Sequence, residues 1–421
     1  MKSIVRNLAI ISILYFLFGF VTSLNNILIP HLKLACELES DFATAFIQFA
    51  FFGAYFLMSL PSAAIIKKIG YKNGIMLGLT IASVGAMLFI PAAQTRIYEL
   101  FLLGLAVLAS GITLMQVAVN PYVSLLGEPS KGASRLSLMG GLNSLGGTLG
   151  PYAGGVLLLS SVELSKEKIA SFSTEEKLQW LSNQASEVIM PYTLLALFLL
   201  LLAAMIYFAK LPDIIFEEET KSAENFSVLN KPKLMLGILG IFFYVGAEVG
   251  IESFIIRYGE GLGIENYTKL IGSRFVAAYM LSAMIFRFLG VGLLRKFAPL
   301  RVLLISALIA IGLLIVSLST TGYIALAAAV LVGACNSIMW PVIFPEAIAG
   351  LGKHTNTASS YLIMAVVGGA IIPLLMGFVS DKAGIQNAYA IPLVCYVFIG
   401  YYGFRFMPKR TSNPSSGAIA P

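Results

Sequence analysis

Charge is scarce in this chain, and so are histidine, cysteine and tryptophan. Only 12% of its 421 residues are Asp, Glu, Lys or Arg, against 58% hydrophobic, and the mean hydropathy is +0.87. A soluble protein of this length would leave too much apolar surface in water, so the class is integral membrane protein. The two histidines, His31 and His354, fall in loops on opposite sides of the bilayer. No nucleophile–base motif, phosphate loop or metal-ligand cluster accompanies them, which makes an enzyme the least favoured class and leaves no cofactor to expect. Cys36, Cys335 and Cys395 lie far apart without metal-type spacing and read as small apolar fillers. Gly140-Gly141 and Gly146-Gly147 sit inside an apolar span, where small residues permit close helix packing, which disfavours a nucleotide site. The formal charge of +7 is carried at helix ends, which fits membrane anchoring and not a nucleic-acid partner.

What is present is a series of apolar runs. Twelve are long enough to span, at about 8–30, 43–66, 74–93, 98–124, 137–160, 190–210, 234–256, 269–293, 300–318, 323–345, 357–380 and 387–406. The first follows Lys2 and Arg6, exceeds a signal-peptide core and lacks a cleavage site, so it reads as a retained helix. The expected class is therefore all-α, a polytopic protein. Residues 1–210 form a six-helix bundle, 211–233 a cytoplasmic linker, 234–406 a second bundle and 407–421 a disordered cytoplasmic tail. With both termini inside, 18 lysines and arginines fall on the cytoplasmic side and 9 outside, with Arg287 within a span. Lys67-Lys68-Ile69-Gly70-Tyr71-Lys72 after the second span and Arg295-Lys296-Phe297-Ala298-Pro299-Leu300-Arg301 after the eighth echo each other, as in transporters built from repeats; ordinary basic anchors are the plain alternative. Residues 161–188 are polar and acidic, and read as an amphipathic helix outside the bilayer.

The seventh span carries Gly246-Ala247-Glu248-Val249-Gly250-Ile251-Glu252-Ser253, two carboxylates in an apolar run. Four residues apart, they share one helix face at roughly 6 Å. An ionised group at mid-membrane costs on the order of 2.5–3.5 kcal/mol on insertion scales, so such acids usually face a cavity and serve function. Two of them call for a proton, a metal ion or an arginine. Glu248 lies near the midplane. Glu252 is one turn outward and, with Arg257 close in sequence, can instead reach the interface.

Polar residues inside the other spans complete the pattern. They include Ser23-Leu24-Asn25-Asn26-Ile27-Leu28-Ile29-Pro30, Gln48-Phe49-Ala50-Phe51-Phe52-Gly53-Ala54-Tyr55, Gln116-Val117-Ala118-Val119-Asn120-Pro121-Tyr122 and Leu142-Asn143-Ser144. The second half adds Asn336-Ser337-Ile338-Met339-Trp340-Pro341, Ser359-Ser360-Tyr361 and Met376-Gly377-Phe378-Val379-Ser380-Asp381. In this order they resemble the fucose/glucose–galactose permease branch of the major facilitator superfamily. The resemblance implies a twelve-helix, two-bundle fold, alternating access and a monosaccharide substrate. Fucose permeases carry an aspartate where this chain has Asn26 and a glutamate where it has Gln116; Asn143 matches the branch. Gly-Ala-Glu around Glu248 is closer to the glucose/galactose members.

A pyranose asks for amides and carboxylates around its hydroxyls and an aromatic plate against its C–H face. Asn26, Gln48, Gln116, Asn120, Asn143 and Glu248 are the expected polar ligands and Trp340 the plate. Helix-joining hydrogen bonds compete for the amides, a kink at Pro121 for Asn120, and an interfacial belt for Trp340. The expected coupling residues are Glu248, Glu252 and Asn26, with sodium at Glu248 favoured over a proton because both titrating positions of the first half are amides. Arg287 and Glu346 are read as a gating or structural pair near the cytoplasmic face. The expectation is a secondary active importer of a glucose- or galactose-type sugar, monomeric, in the inner membrane of a bacterium, its partners the sugar and the lipid bilayer. A sugar uniporter and a drug or metabolite exporter are the alternatives, and a non-transporting sugar sensor is a third.

Overall fold

The structure, a computed structural model, describes residues 2–37, 41–126, 128, 131–158, 172–209 and 228–407. Within these, residues 2–7, 25–31, 33–34, 41–46, 48, 151–158, 228, 269–270 and 353 are described by backbone alone. Helices α1 (Lys2–Ala35), α2 (Asp41–Met87), α3 (Phe89–Thr95), α4 (Tyr98–Leu125), α5 (Gly132–Leu158), α6 (Thr174–Ser186) and α7 (Ile189–Phe208) make the first half. The second half holds α8 (Pro232–Gly261), α9 (Lys269–Lys296), α10 (Pro299–Ser319), α11 (Gly322–Asn336), α12 (Met339–Ile348), α13 (Thr355–Met364), α14 (Gly368–Ala383), α15 (Ile385–Ala388) and α16 (Ala390–Phe406). Nine helical runs among the described residues are long and apolar enough to cross a membrane, and Leu8–Leu24 is a shorter one. The run Phe49–Thr95 is double; with α1 and α5 the crossings come to twelve.

The expected spans map onto these helices with three differences. The second and third spans form one continuous helical run that reverses at Gly70, whose φ of 79° only glycine adopts without strain. A Cβ at Gly74 would lie 3.0 Å from Ile66, which places the chain back against itself. The tenth span is interrupted at Ser337-Ile338, between α11 and α12, and the eleventh at a 3₁₀ turn over Ala365–Val367. Periodicity alone is blind to such breaks, because the residues on either side stay apolar.

α2 packs on α4 and α7, and α1 on α5; in the second half α10 packs on α16 and α11, and α8 on α14 and α16. The two halves meet along α5 with α9 and α12, and along α2 and α4 with α13. Leu197, Leu201, Ile305, Leu308, Val397 and Phe404 project outward, as helices that face lipid require. Within the 161–188 stretch, α6 is capped by Ser173 and Glu176, whose side chains each bond the other's backbone N–H. Glu37, beyond α1, binds Lys177 of α6 at 2.6 Å and Arg96 at 3.5 Å, so α6 is tied to the ends of α1 and α3. The Lys177 ammonium, helped by Arg96, holds the Glu37 carboxyl below its ordinary range. Most of the expected linker at 211–233 and of the expected tail at 407–421 lies outside the described residues.

Candidate functional site

In the first half, amides and tyrosines are matched to each other. The Tyr15 hydroxyl donates to Asn120 Oδ1 at 2.6 Å, and Asn120 Nδ2 donates to the Gln116 carbonyl at 2.9 Å. Asn120 is only 2% exposed and both ends of its amide are engaged, so it braces α4 against α1. Asn143 Nδ2 reaches the Tyr15 carbonyl at 3.2 Å, which leaves its Oδ1 available, and Gln116 Nε2 donates to the Tyr55 hydroxyl at 3.0 Å. Both are partly buried and remain candidates. The side chains of Asn26, on α1, and Gln48, on α2, lie outside the described residues.

Pro121 does more than bend a helix. Having no N–H, it leaves the Val117 carbonyl without its helical donor. The Ser359 hydroxyl, on α13 of the other half, donates to that carbonyl at 3.2 Å.

The second half supplies the charge. Glu248 Oε1 lies 3.0 Å from Arg287 Nη2, a pair with side chains 21% and 13% exposed. Arg287 Nη2 also reaches the Tyr244 hydroxyl at 3.3 Å, while Nη1 donates to the Ser144 hydroxyl and faces the Gly140 carbonyl at 3.5 Å. One guanidinium therefore joins α8 to α5, the second bundle to the first. Its five fixed donors make arginine suited to such a bridge, where lysine offers a single point charge. Gly140 and Gly141 let α9 come close, since a Cβ at Gly141 would lie 2.8 Å from the Phe288 ring.

These contacts correct one expectation. Arg287 does not pair with Glu346 near the basic end; Glu346 pairs with Lys233 at the start of α8, and Arg287 is committed to Glu248. The sequence gives depth along a span but not rotation about its axis, and rotation is what selected the partner. Arg287 engages one oxygen of the Glu248 carboxylate, Oε1. Among the described residues no group of three or more His, Cys, Asp or Glu could hold a metal. Glu252, one turn along α8, makes no hydrogen bond or ion pair with another described residue and is partly buried. Trp340, partly buried on α12, stacks on Phe344 with centroids 5.6 Å apart and planes 21° off parallel. Sequence reasoning missed Tyr15, Tyr55, Tyr244 and Ser144 as partners; each sits in an apolar span with no local signal of its role.

The comparisons agree with this architecture. The family model described as Major Facilitator Superfamily matches residues 11–365. The "Glucose/galactose transporter" of Brucella abortus is 42% identical over 394 residues, covering 93% of this chain and 92% of that one. The "L-fucose-proton symporter" of Escherichia coli is 34% identical over 420 residues, covering 98% and 95%. The crystal structure of the transporter FucP in the outward conformation superimposes with a TM-score of 0.88 at 34% identity, over 97% of this chain and 100% of that chain. Twelve crossings in two bundles, a mid-membrane pair at their junction and a match over most of the chain place this protein in the Major Facilitator Superfamily.

Proposed function

We propose that the chain imports a monosaccharide of the glucose/galactose type by alternating access, coupled to a proton. The Glu248–Arg287 pair is the observation that carries this reading. Arg287 holds Glu248 of one bundle and Ser144 of the other, so the charge state of Glu248 bears directly on how the bundles are joined. A proton on Glu248 cancels the attraction without adding a ligand, whereas sodium would need several oxygens and would face the guanidinium. The sequence favoured sodium; the geometry turns the balance to a proton. Glu252, unpaired and one turn away, is the neighbouring acid through which such a proton passes.

The substrate class rests on the named activities of the relatives and on the residues here. Gln116 and Asn143 offer amides, Glu248 a carboxylate and Trp340 a plate. Asn26 and Gln48 stay in the proposed set by position. Hydrogen bonds crossing between the halves gather toward the basic end, where Lys67, Lys68, Arg295 and Lys296 lie: Tyr71 to Asn356, Ser134 to the Val291 carbonyl at 3.0 Å, and Ser137 to the Arg287 carbonyl at 2.7 Å. That distribution supports a state closed at the basic end. With the basic end cytoplasmic, both termini lie inside an inner bacterial membrane and the site faces outward. The division into bundles at 1–210 and 234–406, and a monomeric state, belong to the same reading.

Uptake into liposomes under separately imposed pH and sodium gradients tests the coupling. Sugar accumulation driven by an inward proton gradient is expected. A carboxylate permanently neutralised by Arg287 favours a second reading, a uniporter, and uptake indifferent to both gradients would establish it. Response to sodium alone would overturn the proton assignment.

A further inference from the structure

A second polar cluster lies deeper in the second half. Asn336, the last residue of α11, is fully buried at the interruption of the tenth span. Its Oδ1 accepts from the Tyr396 hydroxyl of α16 at 2.7 Å, and its Nδ2 donates to the Tyr279 hydroxyl of α9 at 2.7 Å. The Tyr279 hydroxyl in turn donates to the main-chain carbonyl of Glu248 at 3.3 Å. Tyr279 and Tyr396 are 1% and 0% exposed. A buried amide or hydroxyl in apolar surroundings is costly unless paired, so these three groups hold one another in place.

The surroundings leave this chain of bonds little freedom. A Cβ at Gly333 would lie 2.7 Å from the Tyr279 carbonyl, so α11 and α9 touch backbone to backbone just before the break. A Cβ at Gly290 would lie 2.6 Å from Ile338, so α9 also grips the break itself. Helix α9 thus holds Glu248 twice, through Tyr279 on its carbonyl and Arg287 on its carboxylate. Trp340 begins one turn past Asn336, on the far side of the interruption.

We propose that Asn336 is a positioning residue that links the break in the tenth span, and with it Trp340, to the turn of α8 carrying Glu248, by way of Tyr279. The inference rests on the reading of Trp340 as the sugar plate and Glu248 as the coupling acid, and adds the connection between them. Sugar arriving at Trp340 shifts α12 against the break; Asn336 and Tyr279 carry that shift to Glu248. Coupling between two sites is reciprocal, so a change at Glu248 must alter sugar affinity through the same bonds.

The test is a double-mutant cycle on sugar affinity. Trp180→Phe leaves Trp340 as the only tryptophan, and its fluorescence reports glucose and galactose binding to the full chain in nanodiscs. Glu248→Gln is expected to change the Kd at least fivefold. With Tyr279→Phe or Asn336→Ala already present, the factor should fall at least twofold, the remainder being the direct contact of the Glu248 carboxylate with the sugar. Tyr396→Phe removes a hydrogen bond of equal burial but leaves the Asn336–Tyr279–Glu248 path; it should lower thermal stability and preserve the fivefold response. Equal responses to Glu248→Gln in all backgrounds overturn the proposal, as does loss of the response in Tyr396→Phe, which would mark a general packing defect. A Trp180→Phe protein that binds neither sugar overturns the transport reading and this inference together, whereas binding with an additive cycle overturns the inference alone.

Discussion

The two halves of the membrane domain share buried neutral amides, but among the described residues mid-span charge belongs to the second. In the first, every described mid-span amide is neutral and bonded within its own half: Asn120 with Tyr15, Gln116 with Tyr55, Asn143 with the Tyr15 carbonyl. In the second, an ion pair sits at the junction and reaches across it. A neutral amide can offer a hydroxyl a partner at any pH, but it cannot change charge. The pair can. That sets a neutral, pH-indifferent first half against a charged junction built from the second.

The sharpest way to break that division is to remove the arginine. Truncating one partner of a buried pair costs about 3–5 kcal/mol, because the other charge is left uncompensated. Arg287→Met should abolish uptake and lower the melting temperature in detergent; uptake near wild type would mean that the charged junction is dispensable. Glu248→Gln is milder. It leaves Arg287 a neutral acceptor, so accumulation against a gradient should be lost while counterflow of sugar persists, and accumulation at the wild-type level would move coupling to Glu252. Asn120→Ala strands the buried Tyr15 hydroxyl, a loss of about 1–3 kcal/mol of stability. Its KM for sugar should stay within threefold of wild type, since the amide is consumed by α1; a large rise in KM would return Asn120 to the binding site.

Two smaller effects sharpen the picture. Trp340→Ala should weaken sugar binding by about 0.5–1.5 kcal/mol, the range for an aromatic contact beyond area burial, read from competition binding. Beyond the end of α1, Glu37 is held below its ordinary range by Lys177. Such a carboxyl contributes stability that is present above its unfolded-state value and is lost as pH falls through the folded one. The groups are near half exposed, so the contribution is at most about 0.5 kcal/mol. Glu37→Gln at constant pH should raise hydrogen exchange in α6 slightly, and an unchanged rate would show that the cap and apolar packing suffice.

Twelve crossings were legible because apolar runs of about twenty residues have few alternatives. The two acids of α8 were legible for the converse reason: carboxylates in such a run are rare and expensive. Partner choice was not. Arg287 lies 39 positions from Glu248 on another helix, and Glu346 was an equally sound partner by depth alone. Asn120 shows the same limit, since nothing near it in the chain announces that Tyr15 would consume its carbonyl. The break at Ser337 does leave a trace, since Pro341 has no N–H for the Ser337 carbonyl four residues back, whereas the turn at Ala365–Val367, packed against α8 and α2, leaves little.

The bond from Ser359 to the Val117 carbonyl fastens one bundle to the other with a catch made of backbone. Mutating residue 117 cannot file such a catch away, because every amino acid brings the same oxygen. Its keeper is Pro121, whose missing hydrogen keeps the atom vacant for a visitor. An alanine there would let the helix reclaim its own oxygen, and the fastening would slacken with no contact residue altered.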